Sequence, residues 1–385
     1  MTVEQLWQRV PGGSGTYIRA LARELSRRDD VHLVGVAARG SLEGRAELLP
    51  SVPVVCSALP RPLLYEAWGR LRRPALPRTR AMRSAHRRYD VVHATTWAIP
   101  PRTAPLVVTV HDLAFLRAPE HFTPRGAAFF DRALAVTRRE ADIVVVPSQA
   151  TYDDCVQAGI DADRLRLVHH GTDPVPVAPA DVAEFRERHG LRRDVVLWCG
   201  TLEPRKNVPA LLRAFERLLQ QGDDLDLVLV GPTGWGSTSA EVTAAVAALP
   251  ADRVHLLGRL SPEDLQLAYA AARVFCFPSS WEGFGLPVLE AMTHGTPVVT
   301  SRETSMAEIV GSSGLLVDPQ APDEIAAALR EAAGPAHDAL GAAGRAAAAR
   351  FTWRRSADEH VAAYRAAIER AADRPTHSAH LGQRP

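Results

Sequence analysis

Glu282-Gly283-Phe284-Gly285-Leu286-Pro287-Val288-Leu289-Glu290 follows the apolar run 274–277 and leads into helical spacing through Met292. A short β-branched and aromatic run, then glycines, then a helical pattern is the order of strand, tight turn and helix in an open α/β sheet. The turn then sits at the carboxyl end of a strand, where such sheets place their ligands. Gly283 and Gly285 let a backbone approach a ligand with no Cβ in the way. Free amides at the start of that helix offer an anion site suited to a diphosphate. The carboxylates of Glu282 and Glu290 are poor partners for phosphate and are expected to accept from sugar or ribose hydroxyls instead.

The same grammar continues in both directions. Apolar runs at 31–37, 52–56, 91–94, 106–110, 143–146 and 165–168 read as strands, with helical patterns at 16–26, 126–140 and 150–159. The second half repeats it, with strands at 195–199, 225–230, 254–256, 274–277, 298–300 and 315–317 and helices at 208–221, 262–271 and 323–333. Alternation at this spacing predicts parallel sheets covered on both faces. Between the halves, Pro174, Pro176 and Pro179 mark an extended linker. The expected organisation is therefore a first α/β domain over 1–172, a second over 173–350, a helix over 351–373 packing back toward the first, and a disordered tail over 374–385. Only residues 2–6 are available as a strand before Pro11-Gly12-Gly13-Ser14-Gly15, so the natural start is expected upstream of Met1.

A second strand–turn–helix reads Gly200-Thr201-Leu202-Glu203-Pro204-Arg205-Lys206-Asn207, with Asn207 the expected N-cap. Of 45 basic side chains, Lys206 alone is lysine. A planar guanidinium beside a compact ammonium is a complementary pair for a diphosphate leaving group, and it stabilises the charge that develops as a glycosidic bond breaks.

Taken together, the Glu-x7-Glu element, the Arg-Lys-Asn turn and the early glycine loop resemble retaining family 4 glycosyltransferases of the GT-B fold. Cys199-Gly-Thr-Leu-Glu-Pro-Arg-Lys-Asn207 is similar to bacterial members that use GDP-mannose, while close relatives use other donors. The resemblance spans most of the chain, most strongly 143–318. It implies two Rossmann-like domains facing a cleft and a nucleotide-sugar donor held mainly by the second. Arg205 and Lys206 would bind the diphosphate, with Gly200 and Thr201 beside them. Glu290 would hold the ribose, Glu282 would meet the donor sugar, Phe284, Gly285 and Leu286 would lend backbone amides, and Leu257-Gly258-Arg259-Leu260 would border the base. Gly13, Ser14 and Gly15 would meet the phosphates on closure. His111, at the end of a predicted strand, would lie near the donor sugar and acceptor. Front-face displacement is the implied mechanism, and a covalent intermediate stays open. The implied acceptor is a glycan, a lipid-linked molecule or a small molecule.

Other functions are weighed against the same residues. A net charge of +1 argues against nucleic-acid binding. A dinucleotide-dependent oxidoreductase needs an acid about 20 residues beyond its glycine loop, and the sequence there reads Ala37-Ala38-Arg39. A sugar-nucleotide epimerase, a phosphorylase and a silent nucleotide-sugar-binding protein remain alternatives. Asp161-Ala162-Asp163 and Asp224-Leu225-Asp226 precede their strands and read as turn residues, so no metal and no other cofactor is expected. Cys56, Cys155, Cys199 and Cys276 read as small buried hydrophobes of a reducing compartment, and a cytoplasmic location is expected. The 61–88 segment holds nine arginines and one acid, with Leu63, Leu64, Tyr65 and Trp68 between them. It reads as a solvated basic helix pair, or as a peripheral contact with an anionic membrane.

Overall fold

The computed structural model describes residues 1–8, 11–40, 49–232 and 238–373. The expected tail over 374–385 lies outside these residues. Among them, twelve strands form three hydrogen-bonded sets, parallel throughout. The first half holds β1 (Gly35–Ala37) with β2 (Val54–Cys56). It also holds β3 (Val92–Ala94), β4 (Leu106–Thr109), β5 (Ile143–Val146) and β6 (Leu165–Leu167) in that order. Residues 1–3 join the two sets: the Val3 amide donates to the Val36 carbonyl and the Thr2 amide to the His93 carbonyl, each at 2.9 Å. The chain then makes a short 3-10 turn over Glu4–Trp7, where the sequence predicts continued strand.

The second half is one sheet of β7 (Asp194–Cys199), β8 (Leu225–Val230), β9 (Val254–Gly258), β10 (Val274–Phe277), β11 (Val298–Ser301) and β12 (Leu315–Val317). Their order is β12-β11-β10-β7-β8-β9. The connection from β7 runs one way and that from β10 the other, so these neighbours form the topological switch point, where a crevice opens beyond the carboxyl ends. Both sequence motifs leave this pair of strands. All four residues of β10 are buried, as helices on both faces require.

The C-terminal helix Trp353–Ala372 crosses from the second half to the first. Trp353, Val361 and Tyr364 share one apolar cluster with Leu21 and Leu25 of the helix Gly12–Ser26. Thr172 bridges to Thr352 at the crossing. A Cβ on Gly171 would stand 2.1 Å from the Trp353 nitrogen, so only glycine admits the two backbones. Ion pairs Arg23–Asp173, Arg28–Asp358 and Arg365–Asp30 edge this seam.

Inside the seam, buried polar groups form a chain of one polarity. The Ser356 carbonyl only accepts, so His360 donates to it from Nδ1 at 2.7 Å. His360 Nε2 therefore accepts from Tyr17 Oη at 2.8 Å, which accepts from Thr109 Oγ1 at 2.9 Å. Thr109 in turn accepts from His93 Nε2 at 2.7 Å, and His93 Nδ1 from Tyr364 Oη at 2.8 Å. Both imidazoles must be neutral for this to close. Burial lowers His360 to about 4 and His93 well below 6.5.

Two expectations are corrected here. Asn207 takes the N-cap position in the left-handed region (φ 53°) and makes no cap hydrogen bond. Its Nδ2 instead donates to the Pro319 and Pro278 carbonyls at 2.6 and 3.2 Å, tying three strand ends together. Asp226 is not a turn residue: it lies within β8, fully buried beside Arg193, Arg253 and His255.

A histidine held below its ordinary value takes its proton first in the unfolded chain, so stability is full above about pH 6.5 and falls as pH drops toward 4. For His360 the loss is on the order of 3 kcal/mol. Thermal unfolding followed from pH 8 to 4 should fall below pH 6.5 in wild type and less steeply in Tyr17→Phe/His360→Leu; equal slopes would contradict the assignment.

Candidate active site

One cleft of about 690 Å³ opens at the carboxyl ends of both sheets. The motif residues expected to hold the donor, the glycine loop, His111 and Arg259-Leu260 line it, whereas Asn207, Leu257 and Gly258 do not. So do Arg19, His170, Glu203 and Tyr269, which the sequence did not single out.

At its centre Glu282 receives Lys206 Nζ at 2.6 Å and Arg205 Nη1 at 2.7 Å. Arg205 also reaches Glu203 through Nε at 3.0 Å, and its carbonyl accepts from the Ser280 amide at 2.8 Å. Lys206 lies 4.7 Å from the Phe277 ring centre. Lys206 and Glu282 are buried, at 7% and 8% exposure. Burial alone would raise the Glu282 carboxyl, but Arg205 and Lys206 outweigh it and hold it at about 2. Burial also lowers the Lys206 ammonium, with Glu282 pulling the other way. Glu282 is therefore ionised at neutral pH, and the Lys206 ammonium paired with it retains two N–H donors beyond the one given to Glu282.

Glu290 sits one turn into the helix Leu286–His294 and accepts from Tyr269 Oη at 2.9 Å. Burial pushes its carboxyl up to about 7, with the Tyr269 bond working against the rise. Tyr269 was missed because a tyrosine in an amphipathic helix reads as packing.

The helices that begin at Gly12 and Leu286 face each other across the cleft, a methyl on Gly13 standing 3.6 Å from Leu286 Cδ1. Each contributes the positive end of a helix dipole to the same space. The two turn glycines have reasons the sequence did not supply. A Cβ on Gly283 would fall 2.0 Å from the His111 carbonyl oxygen, so this glycine admits the other half of the molecule. Gly285 takes φ 110° and packs on Met306.

His111 lies just past β4. Its Nε2 donates to the Thr95 carbonyl at 3.0 Å, which leaves Nδ1 of the neutral ring as an acceptor. Burial lowers its pKa, with Asp112 opposing. Asp112 itself accepts from the Ala114 amide at 3.1 Å. Among the described residues no cluster of three metal-ligating side chains occurs. Asp161, Asp163, Asp224 and Asp226 do not line the cleft. Cys199 does, and it is half-buried, as is Cys56, whereas Cys155 and Cys276 are buried.

With this geometry in hand, the chain can be set beside known proteins. A family model described as "Glycosyltransferase Family 4" matches residues 11–176, and one described as "Glycosyl transferases group 1" matches residues 193–334. The chain belongs to this glycosyltransferase family. It is 30% identical to O-antigen chain mannosyltransferase B of Escherichia coli, over 79% of this chain and 81% of that one. It is 30% identical to an MMP alpha-(1->4)-mannosyltransferase of Mycolicibacterium hassiacum, over 94% and 96%. A D-inositol 3-phosphate glycosyltransferase of Acidothermus cellulolyticus is 32% identical, over 93% and 86%. The fold is GT-B: Anabaena HepE in complex with UDP-glucose superposes with a TM-score of 0.73 at 23% identity, covering 96% of this chain and 98% of that one.

Removing the shared carboxylate of this glycosyltransferase leaves two buried cations facing each other. Glu282→Ala should lower unfolding free energy by about 3 kcal/mol in the absence of ligand. A nucleoside diphosphate should restore more stability to Glu282→Ala than to wild type. Chemical denaturation with and without the nucleotide measures both, and an undestabilised variant would show that the cluster is not electrostatically coupled.

Proposed function

We propose that this glycosyltransferase is a retaining, metal-independent hexosyltransferase that moves mannose from GDP-mannose to a glycan, lipid-linked or small-molecule acceptor. The observation that carries the reading is that Arg205 and Lys206 line the same cleft as two helix starts. That is a pre-formed cradle for a departing diphosphate. Two mannosyltransferases among the relatives support the choice of sugar.

In this reading the diphosphate lies against Arg205, Lys206 and the amides of Gly13, Ser14 and Thr201, while Gly15 and Gly200, whose amides donate to the Pro11 and Val230 carbonyls, line the space beside it. Phe284, Gly285 and Leu286 lend amides from the facing helix start. Arg259 and Leu260 border the base, and the Glu290 carboxyl accepts from the ribose hydroxyls. Glu282 anchors both cations and meets the donor sugar, while His111 Nδ1 accepts from a sugar hydroxyl. The bond from the anomeric carbon to the phosphate oxygen breaks and its electron pair stays on that oxygen, beside Arg205 and Lys206. The acceptor hydroxyl enters on the same face, and its proton passes to the departing phosphate.

GDP, UDP, ADP and dTDP compared by thermal shift test the donor. A ligand at a hundredfold its dissociation constant stabilises by roughly 2.7 kcal/mol. GDP should give the largest shift, and Lys206→Ala should abolish most of it. Glu282→Ala should show a shift larger than wild type and lose transfer, and chelator should leave turnover unchanged. A larger UDP shift would remove GDP-mannose, and chelator-sensitive turnover would remove metal independence.

Among the described residues no helix is long and apolar enough to cross a membrane. The 61–88 segment exposes Leu63 and Leu71 at 59% and 71% beside Arg70, which supports cytoplasmic action at the surface of an anionic bilayer. Arg72 does not belong to that surface. It donates to Glu140 and to the Trp68, Ile99 and Pro100 carbonyls. Co-sedimentation with vesicles containing anionic lipid should fall on Arg70→Glu/Arg73→Glu, and binding unaffected by both would end the membrane reading.

A further inference from the structure

His170 lies three residues past the end of β6, beside the crossing at Gly171. It touches both halves of the molecule: its ring centre is 4.8 Å from Tyr17, 5.5 Å from His111, 5.1 Å from Phe284 and 5.8 Å from Trp353. The residue is 5% exposed, yet it lines the cleft. Its Nδ1 is buried without a hydrogen-bond partner. An orphaned polar atom in so enclosed a place costs stability, and the aromatic packing that holds it has another purpose to serve.

A neutral imidazole carries one N–H. On Nδ1 the proton would be a donor sealed among aromatic rings. Nε2 is not such a buried orphan, and on a residue that lines the cleft it is the nitrogen left to carry the proton toward a ligand. Burial lowers His170 well below 6.5, and any charge on the neighbouring His111, His360 or His169 would push the same way. The ring is thus a fixed neutral donor and not a proton-transfer group. It complements His111, whose Nε2 is spent on Thr95 and whose Nδ1 accepts.

We propose that His170 contacts substrate directly, its Nε2–H donating a hydrogen bond to an oxygen of the transferred sugar between the start of the helix Gly12–Ser26 and the turn at Gly283–Gly285. This rests on the donor reading above. The two histidines then present one donor and one acceptor to the transferred group, and neither changes charge across the working pH range.

The test compares His170→Phe, which keeps an aromatic ring without a donor, with His170→Gln, which restores an N–H at the reach of Nε2. Transfer should fall about tenfold to a hundredfold in His170→Phe and recover largely in His170→Gln. GDP affinity by calorimetry and the pH profile of turnover from 6 to 8 should stay unchanged in both. Should His170→Phe not fold, ¹⁵N-histidine spectra of wild type decide. The signal lost in His170→Gln should show an Nε2–H tautomer that does not titrate above pH 5 and whose Nε2 resonance moves when GDP-mannose is added. Wild-type transfer by His170→Phe, equal loss in both variants, or an Nδ1–H tautomer would overturn the proposal. If wild type itself neither binds a nucleoside diphosphate nor transfers a sugar, the donor reading fails and takes this inference with it.

Discussion

One carboxylate held between two cations sets the conditions for the rest of the cleft. Arg205 and Lys206 are consecutive, so their charges would repel in a buried site with nothing between them. Glu282, arriving from the neighbouring strand β10, takes both at hydrogen-bonding distance. Because the cations hold its pKa near 2, it stays ionised throughout the physiological range. Glu203 pairs with Arg205 and also acts on Lys206, and Asp112 acts on Arg205, so the two cations are matched by carboxylates and what they offer a ligand is ordered N–H donors. An incoming anion meets charges already ordered and desolvated, so little reorganisation is left to oppose binding.

That arrangement depends on strands far apart in sequence being adjacent in space. β7 and β10 touch because the sheet switches direction between them, and each sends its turn into the same crevice. The opposite wall comes from the first half, whose position is fixed by the helix Trp353–Ala372. The single polarity of the Tyr364-His93-Thr109-Tyr17-His360-Ser356 chain allows one pairing of that helix with β3, β4 and the first helix. A slip by one residue would leave several buried groups unpaired at once, which is the cost that makes buried polar networks specify a register.

Much of this was legible in the sequence because parallel strands buried on both faces are short apolar runs, and the runs at 143–146, 225–230, 274–277 and 315–317 coincide with β5, β8, β10 and β12. The motif residues could be placed in one cleft because strand-end turns of an open sheet all face one way. Their partners could not be read. Lys206 and Glu282 are 76 positions apart, and nothing local marks the pair. Asn207 looked like a cap because asparagine before a helix usually is one; its amide was needed between strand ends instead. The strand at 31–37 shortened to Gly35–Ala37, since only those three residues find a ladder partner in β2. His170 and Tyr269 carry no local signal at all. Each acquires its meaning from rings or carboxylates brought by other elements.

Gly283 shows how the two halves share one piece of backbone. On one side its turn opens the helix that faces the cleft. On the other, its carbonyl accepts from Ser148 at 2.7 Å and Thr151 at 3.2 Å, both at the start of the helix Gln149–Gln157 in the first half. The same helix start receives Glu308 of the second half on the Gln149 and Ala150 amides, at 2.7 and 2.8 Å. A helix amino end that binds a carboxylate and a hydroxyl pair that binds a carbonyl therefore fasten the halves beside the ion cluster. Any side chain at 283 would push the His111 carbonyl away and part the walls there. Glycine at this position is thus a requirement of apposition between domains, and the open anion site next to it follows from that requirement.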